Sequence, residues 1–329
     1  MKLYCRLAFV ALSAMIVCGC SAPRGYITSD GVMLGTTYHV CADVERLTSA
    51  ELYAEMMRID AEAKSSLSIF NPASLLSRVN RGETDSLDAH LVRNLALART
   101  IGERCDVRYD VTVKPLTDAW GFATKNATKN PNVDSLLQFV GYDKWSLDGN
   151  HFMRRDARVQ FDLNSIAKGY TVDMVADMLE LHGAENYIVE VGGEIRCRGV
   201  NARGNVWRVG IDTPEEGNLS PGHQLITTVE LRHKALATSG NYRRFYLDDA
   251  GRKVVHTINP TTGYSTTSRL LSATVVADNC AMADAMATMF MAVGDECAVE
   301  LAEKMRDSVK VCFIIDGKED KYEIFSTLE

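Results

Sequence analysis

The 329-residue chain carries 36 Lys and Arg against 43 Asp and Glu, a formal net charge of −7, and is 46% apolar and 24% charged. That length supports one large domain or two modest ones with a real core, and the composition excludes a disordered or fibrous chain. The acidic balance, with no basic run, argues against a nucleic-acid partner.

The first residues read as an export signal. Lys2 and Arg6 are the only charges before residue 20, and an apolar stretch follows from Leu7 to Val17. It is shorter than the about 20 residues a bilayer span needs and has the layout of a secretory signal peptide. It ends in Val17-Cys18-Gly19-Cys20, which resembles a lipobox. The expectation is a signal at 1–19, a lipidated Cys20 with a polar tether over 20–31, and one domain over 32–329. Two or more acyl chains on Cys20 would anchor the protein to a membrane, facing the periplasm. A plain secreted protein is the alternative. The mature chain, with 34 basic against 43 acidic residues, should stand off an anionic membrane surface.

Helices are predicted in five places. Thr48 and Glu51 form a capping-box pattern before a helix over 49–66, with Leu52, Met56, Ile59, Ala63 and Leu67 at helical spacing. Others are expected over 89–103, from Ser165 to before Gly183, over 279–293 with Asp278 as N-cap and Gly294 as stop, and over 296–307. Strands are predicted over 187–191, 207–211, 225–231, 270–277 and 309–315, the last followed by an Asp316-Gly317 hairpin signal and a strand over 321–325. Loops are expected at 125–134 and 213–222. Helices mixed with hairpins indicate an α+β fold with largely antiparallel sheets. No G-x-G-x-x-G follows a strand, so a Rossmann site is not supported. Cys41, Cys105, Cys197, Cys280, Cys297 and Cys312 lack C-x-x-C spacing, which argues against zinc and for buried free thiols.

Three segments suggest chemistry. In Phe161–Asp173 a strand end leads through Asp162, Asn164 and Ser165 to a helix start and Lys168. Free N–H groups and a cation there would suit a phosphate; an ordinary helix cap is the alternative. Asp284 and Thr288 lie four apart on one helix face, a carboxylate and a hydroxyl fit for a hard cation such as Mg²⁺; a solvated Asp and a back-bonded Thr are the alternative. Met286, Met289 and Val293 lie on another face and read as core. His256, before a Pro-Gly turn, is either a proton shuttle or a surface residue. No G-x-S-x-G or cysteine-protease signature appears.

Nine segments in order resemble the ApbE family, the FAD:protein FMN transferases. They begin at Met33, Ser66, Tyr109, Asp162, Val189, Trp207, Ala237, His256 and Ala283, and read MLGTTY, SLSIFNPASLLSRVN, YDVTVKPLTDAWGF, DLNSIAKGYTVD, VEVGGEIRCRG, WRVGID, ATSGNYRRFY, HTINPTTG and ADAMAT. The resemblance implies a T-fold-like single domain that uses FAD as substrate with Mg²⁺. It implies flavin contacts at Met33, Phe70, Arg108, Tyr109, Asp110, Asp162, Lys168 and Ile258, with Thr238 and His256 in loops near the diphosphate. It places metal ligands at Asp284, Thr288 and the backbone oxygen of Ser165. FMN would pass to a Thr or Ser hydroxyl of a target protein and AMP would leave, with His256 or Asp162 assisting proton movement. Targets would carry a [Ser/Thr]-Gly-Ala-[Ser/Thr]-like motif in subunits of membrane redox complexes. The chain departs from the family pattern in having Asn164-Ser165 in place of two glycines, and Lys114 in place of another. Two other functions stay open: a Mg²⁺-dependent FAD diphosphatase, and an FAD-binding lipoprotein without turnover.

Overall fold

The computed structural model describes residues 25–122, 131–214, 224–241, 245–247, 253–266, 268–317 and 321–328. Cys20 with its signal, and much of both expected loops, lie outside the described residues. The chain opens with a hairpin, β1 (Ile27–Met33) and β2 (Thr36–Ala42), and then the helices α1 (Ser49–Leu67), α2 (Leu75–Asn80) and α3 (Ala89–Arg104). A short 3-10 turn leads to α4 (Lys114–Ala119) and α5 (Val133–Leu137), and then to a small hairpin, β3 (Trp145–Asp148) and β4 (His151–Arg154). Next come α6 (Ala167–Leu181), β5 (Tyr187–Val191), β6 (Glu194–Arg198), β7 (Trp207–Asp212), β8 (Leu225–Leu231), β9 (Lys234–Gly240), β10 (Phe245–Leu247) and β11 (Lys253–Val255). The chain ends through β12 (Leu270–Ala277), α7 (Cys280–Val293), α8 (Asp295–Lys304), β13 (Lys310–Asp316) and β14 (Tyr322–Ser326).

One eight-stranded sheet, in the order β1-β2-β5-β6-β9-β12-β13-β14, organises the molecule. Each of its ladders is antiparallel. Side chains alternate across it with period two. On β6, Ile195 and Cys197 join the apolar cluster with the β7–β8 hairpin, while Arg196 turns to the other face and meets Asp173 of α6. On β12, Ala273, Val275 and Ala277 pack toward α7, and Val276 packs toward the hairpin. The result is an α+β architecture with helices on one face of the sheet and a hairpin on the other.

α1 starts at a complete capping box on Thr48 and Glu51, and buries Leu52, Met56, Ile59, Ala63 and Leu67. Two expected boundaries change. Asn279, not Asp278, caps α7, its side chain accepting from the Met282 N–H; exposed Asp278 instead takes the Lys234 ammonium at 2.5 Å. The expected 125–134 loop ends early, because Asn132 caps α5 at Val133. The 316–317 turn is present, with the Gly317 N–H donating to Lys321 C=O and joining β13 to β14. Cys105, Cys197, Cys280 and Cys312 are buried free thiols, and Cys41 and Cys297 are half-buried. No helix among the described residues is long and apolar enough to cross a membrane.

α7 is apolar on nearly every side and lies beneath β9 and β12, where Met286 and Met289 are wholly buried. Asp173 of α6 supplies what its first turn lacks: its carboxylate accepts the Cys280 and Ala281 N–H groups at 2.9 Å each, and pairs with Arg196 at 2.9 Å. Removing that carboxylate strands two buried donors and a half-buried guanidinium. Asp173→Ala should cost about 3 kcal/mol, read as a lower urea midpoint at unchanged m-value.

Candidate functional site

The cleft is built from segments far apart in sequence. After α3, Asp106 and Val107 both take the left-handed conformation, at φ 50° and 60°. For β-branched Val107 that costs on the order of 1–3 kcal/mol. The turn swings Arg108, Tyr109 and Asp110 into the cleft. Asn80 grips both backbone groups of Phe161, donating to its C=O at 2.9 Å and accepting its N–H at 2.8 Å. The Asp162 N–H then donates to Val111 C=O at 2.8 Å, which sets Asp162 beside Asp110.

Arg108, Tyr109, Asp110, Asp162, Ser165, His256, Ile258 and Thr288 all line this cleft. Its cavity volume, about 130 Å³, is below the roughly 300–1,000 Å³ of drug-sized sites, so the cleft is a partly open groove and not an enclosed pocket. The Tyr109 hydroxyl lies 2.9 Å from Ser165 Oγ, and His256 meets the Phe122 ring edge-on at 6.4 Å. Arg108 reaches Cys297 Sγ at 2.6 Å.

The carboxyls here are buried. Asp110 accepts the Thr112 N–H at 2.8 Å and O–H at 2.7 Å, yet burial outweighs both and pushes it up to about 6. Asp162 is also raised by burial, against the Asn164 N–H at 3.0 Å and the Thr117 O–H at 3.0 Å, which engage one oxygen each. Burial raises the Tyr109 phenol as well.

Asp284 sits one turn before Thr288 on α7 and is 4% exposed. Its Oδ2 accepts the Gly169 N–H at 2.9 Å. Glycine is required at 169: a Cβ there would stand 2.3 Å from the Cys280 carbonyl oxygen and 2.8 Å from Asp284 Cβ. Burial first, then the charge of Glu194, raise the Asp284 carboxyl to about 8, against the Lys168 ammonium and the Gly169 N–H.

This arrangement revises part of the phosphate reading. α6 begins at Ala167, so Ser165 precedes it in a turn. The Ala167 N–H already bonds Leu163 C=O and the Gly169 N–H holds Asp284. The helix start therefore serves a carboxylate of the chain itself.

Asp284, one turn before the lining residue Thr288, lies apart from the lining, as do the remaining candidates. Lys168 forms an ion pair at 2.5 Å with Glu194. Phe70, after α1, is 63% exposed. Met33 is wholly buried in the core cluster beneath β1 and β2. Thr238 is in strand β9, not a loop, and its hydroxyl meets Thr274 at 2.8 Å on the sheet face turned from α7. The alternation of β9 instead points Ser239 at α7, 3.2 Å from Thr288 Oγ1. Sequence reasoning missed Ser239 and Glu194. Strand period two marks the first; a carboxylate following Gly192-Gly193 at an inward strand position marks the second.

Fold and cleft define an α+β ligand-binding protein whose site gathers buried oxygens from separate segments, without a Gly-rich nucleotide loop among the described residues. Within that class the chain belongs to the ApbE family, whose pattern matches residues 34–313. It is 34% identical over 319 residues to the FAD:protein FMN transferase of Haemophilus influenzae, spanning 92% of this chain and 90% of that one. The flavin transferase ApbE from Vibrio cholerae has a similar structure, with a TM-score of 0.79 at 30% identity over 92% of this chain and 97% of that one. The apo Pseudomonas stutzeri flavinyl transferase ApbE gives 0.81 at 27% identity, over 92% and 94%.

The raised Asp110 pKa has a definite sign. Between about 4, where the unfolded carboxyl ionises, and about 6, folding takes up a proton, so this group's contribution to stability falls as pH rises through that window. Asp110→Asn keeps an acceptor for Thr112 and removes the slope. Its melting temperature relative to wild type should rise between pH 4 and 6 and level off above; a difference constant with pH would contradict the burial argument.

Proposed function

We propose that this chain transfers FMN from FAD to a Thr or Ser hydroxyl of target proteins, with AMP leaving and Mg²⁺ bound at Asp284 and Thr288. The observation that carries the reading is Asp284. It is a buried carboxylate oriented by a backbone N–H and one helical turn from a cleft-lining hydroxyl, and no cationic side chain lies within 4 Å of it among the described residues. Family membership and relatives named FAD:protein FMN transferase support it.

The donor set fits the ion. No cluster of three His, Cys, Asp or Glu side chains able to hold a metal occurs among the described residues. Mg²⁺ does not need one, since it takes one or two carboxylates, neutral oxygens and substrate phosphates. Asp284, the Thr288 hydroxyl and the Ser165 backbone oxygen would hold it. When bound, it supplies charge neutralisation at the phosphoanhydride.

The chain's own groups do the rest. Phe70 offers an exposed aromatic face for a ring of FAD. Arg108 brings a guanidinium to the cleft. Asp162, with both oxygens already engaged, serves as a fixed acceptor better than as a proton carrier. His256, half-buried on the cleft wall, is the better candidate to take the proton of the attacking hydroxyl. Catalysis of this kind is mainly positioning and electrostatics. The same reading makes the target a protein segment with a [Ser/Thr]-Gly-Ala-[Ser/Thr]-like motif, and puts the enzyme on the periplasmic side of a membrane through Cys20.

The test is incubation of the purified protein with FAD, Mg²⁺ and a peptide bearing that motif. A gain of FMN mass on the peptide, with AMP released, is expected. FMN and AMP without labelling would mark a diphosphatase, and intact FAD a binding protein; either overturns the transferase reading. Asp284→Ala should lower transfer on the order of a thousandfold or more while still melting cooperatively, at a temperature reduced by the stranded Gly169 N–H. Full activity in that variant would overturn the metal assignment.

A further inference from the structure

We infer that Glu194 is a positioning residue that holds the Lys168 ammonium off Asp284 and so keeps that carboxylate open to a divalent cation. The inference rests on the metal reading proposed above. Glu194 starts β6 just after the Gly192-Gly193 turn and shares a strand face with Arg196, the face that meets α6. Its side chain is 3% exposed and pairs with Lys168 Nζ at 2.5 Å. Lys168 immediately precedes Gly169, whose N–H fixes Asp284.

Two buried carboxylates therefore share one half-buried lysine. Lys168 is near enough for Asp284 to feel its charge, yet among the described residues its ion pair within 4 Å is with Glu194. An ammonium on Asp284 would satisfy that carboxylate and occupy the place of the ion. Charge competition of this kind is strong where water is excluded. No other acidic side chain lies within 4 Å of Lys168 Nζ among the described residues to hold it elsewhere. Thr288, one turn further along α7, and Ser239 of β9, 3.2 Å from the Thr288 hydroxyl, are neutral and bring no competing cation. Glu194 thus divides the charges: lysine to one carboxylate, cation to the other.

A purely structural Glu194, itself buried and present only to pair with a half-buried lysine, predicts something different, and a double-mutant cycle separates the two. The probe is Mn²⁺, titrated into the purified protein without nucleotide and followed by loss of the free-ion EPR signal. Glu194→Gln should weaken binding at least about tenfold, because Lys168 then swings to Asp284, and adding Lys168→Met should restore it to within about threefold of wild type. Melting in metal-free buffer confirms that each variant is folded. Failure of the double variant to recover binding, or wild-type binding in Glu194→Gln, overturns the inference while leaving the metal reading intact. If wild type binds no Mn²⁺, or Asp284→Ala binds as wild type does, the metal reading and the inference both fall.

Discussion

The contact between α6 and α7 is the constraint on which the site depends. It is a two-way clasp. α6 gives the Gly169 N–H to the Asp284 side chain of α7, and α7 gives its first N–H groups to the Asp173 side chain of α6. Each helix thus supplies a donor where the other has an acceptor that burial would otherwise leave unsatisfied. The absence of a side chain at residue 169 lets the backbones approach this closely. The clasp fixes where Asp284 points, where Thr288 emerges one turn later, and where Lys168 must find its own partner.

The neighbourhood is costly to fold. Asp110, Asp162, Asp173, Glu194 and Asp284 are all buried, and burial raises each carboxyl. Val107 adds backbone strain. A sequence selected for stability alone would fill such a volume with Leu and Ile. Concentrated cost of this kind, set against an otherwise ordinary apolar core, is what a preorganised site for charged ligands requires.

Much of the architecture could be read from residue pattern. The capping box at Thr48, the 3.6-residue period of α1 and the apolar runs of β5, β12 and β13 are local signals, and local physics determines them. The strands β1, β2, β6 and β9 were harder to see, because each mixes charged, small and hydroxyl residues whose meaning depends on what the facing layer holds. At the site, Asp284 and Thr288 were legible because both lie on one helix and helical spacing relates them. Glu194, Ser239 and Asp173 were not, since their partners lie 23 to 108 residues away and only the tertiary arrangement joins them. Thr238, placed in a loop by the family resemblance, lies instead in β9, where strand phase turns it to the opposite face of the sheet from Ser239.

The sequence separation of the clasp bears on how the protein matures. Gly169 and Asp284 are 115 residues apart, and the cleft draws on residues from Arg108 to Ala292. Central strand β9 reaches its two partners, β6 and β12, from opposite directions along the chain. Such non-local pairing slows folding, since loop closure must precede the contacts that reward it. A nascent or half-assembled chain therefore has the individual cleft-lining groups but no cleft. Competence to capture a nucleotide arrives late and all at once, and ligand occupancy would report that the last strands have docked.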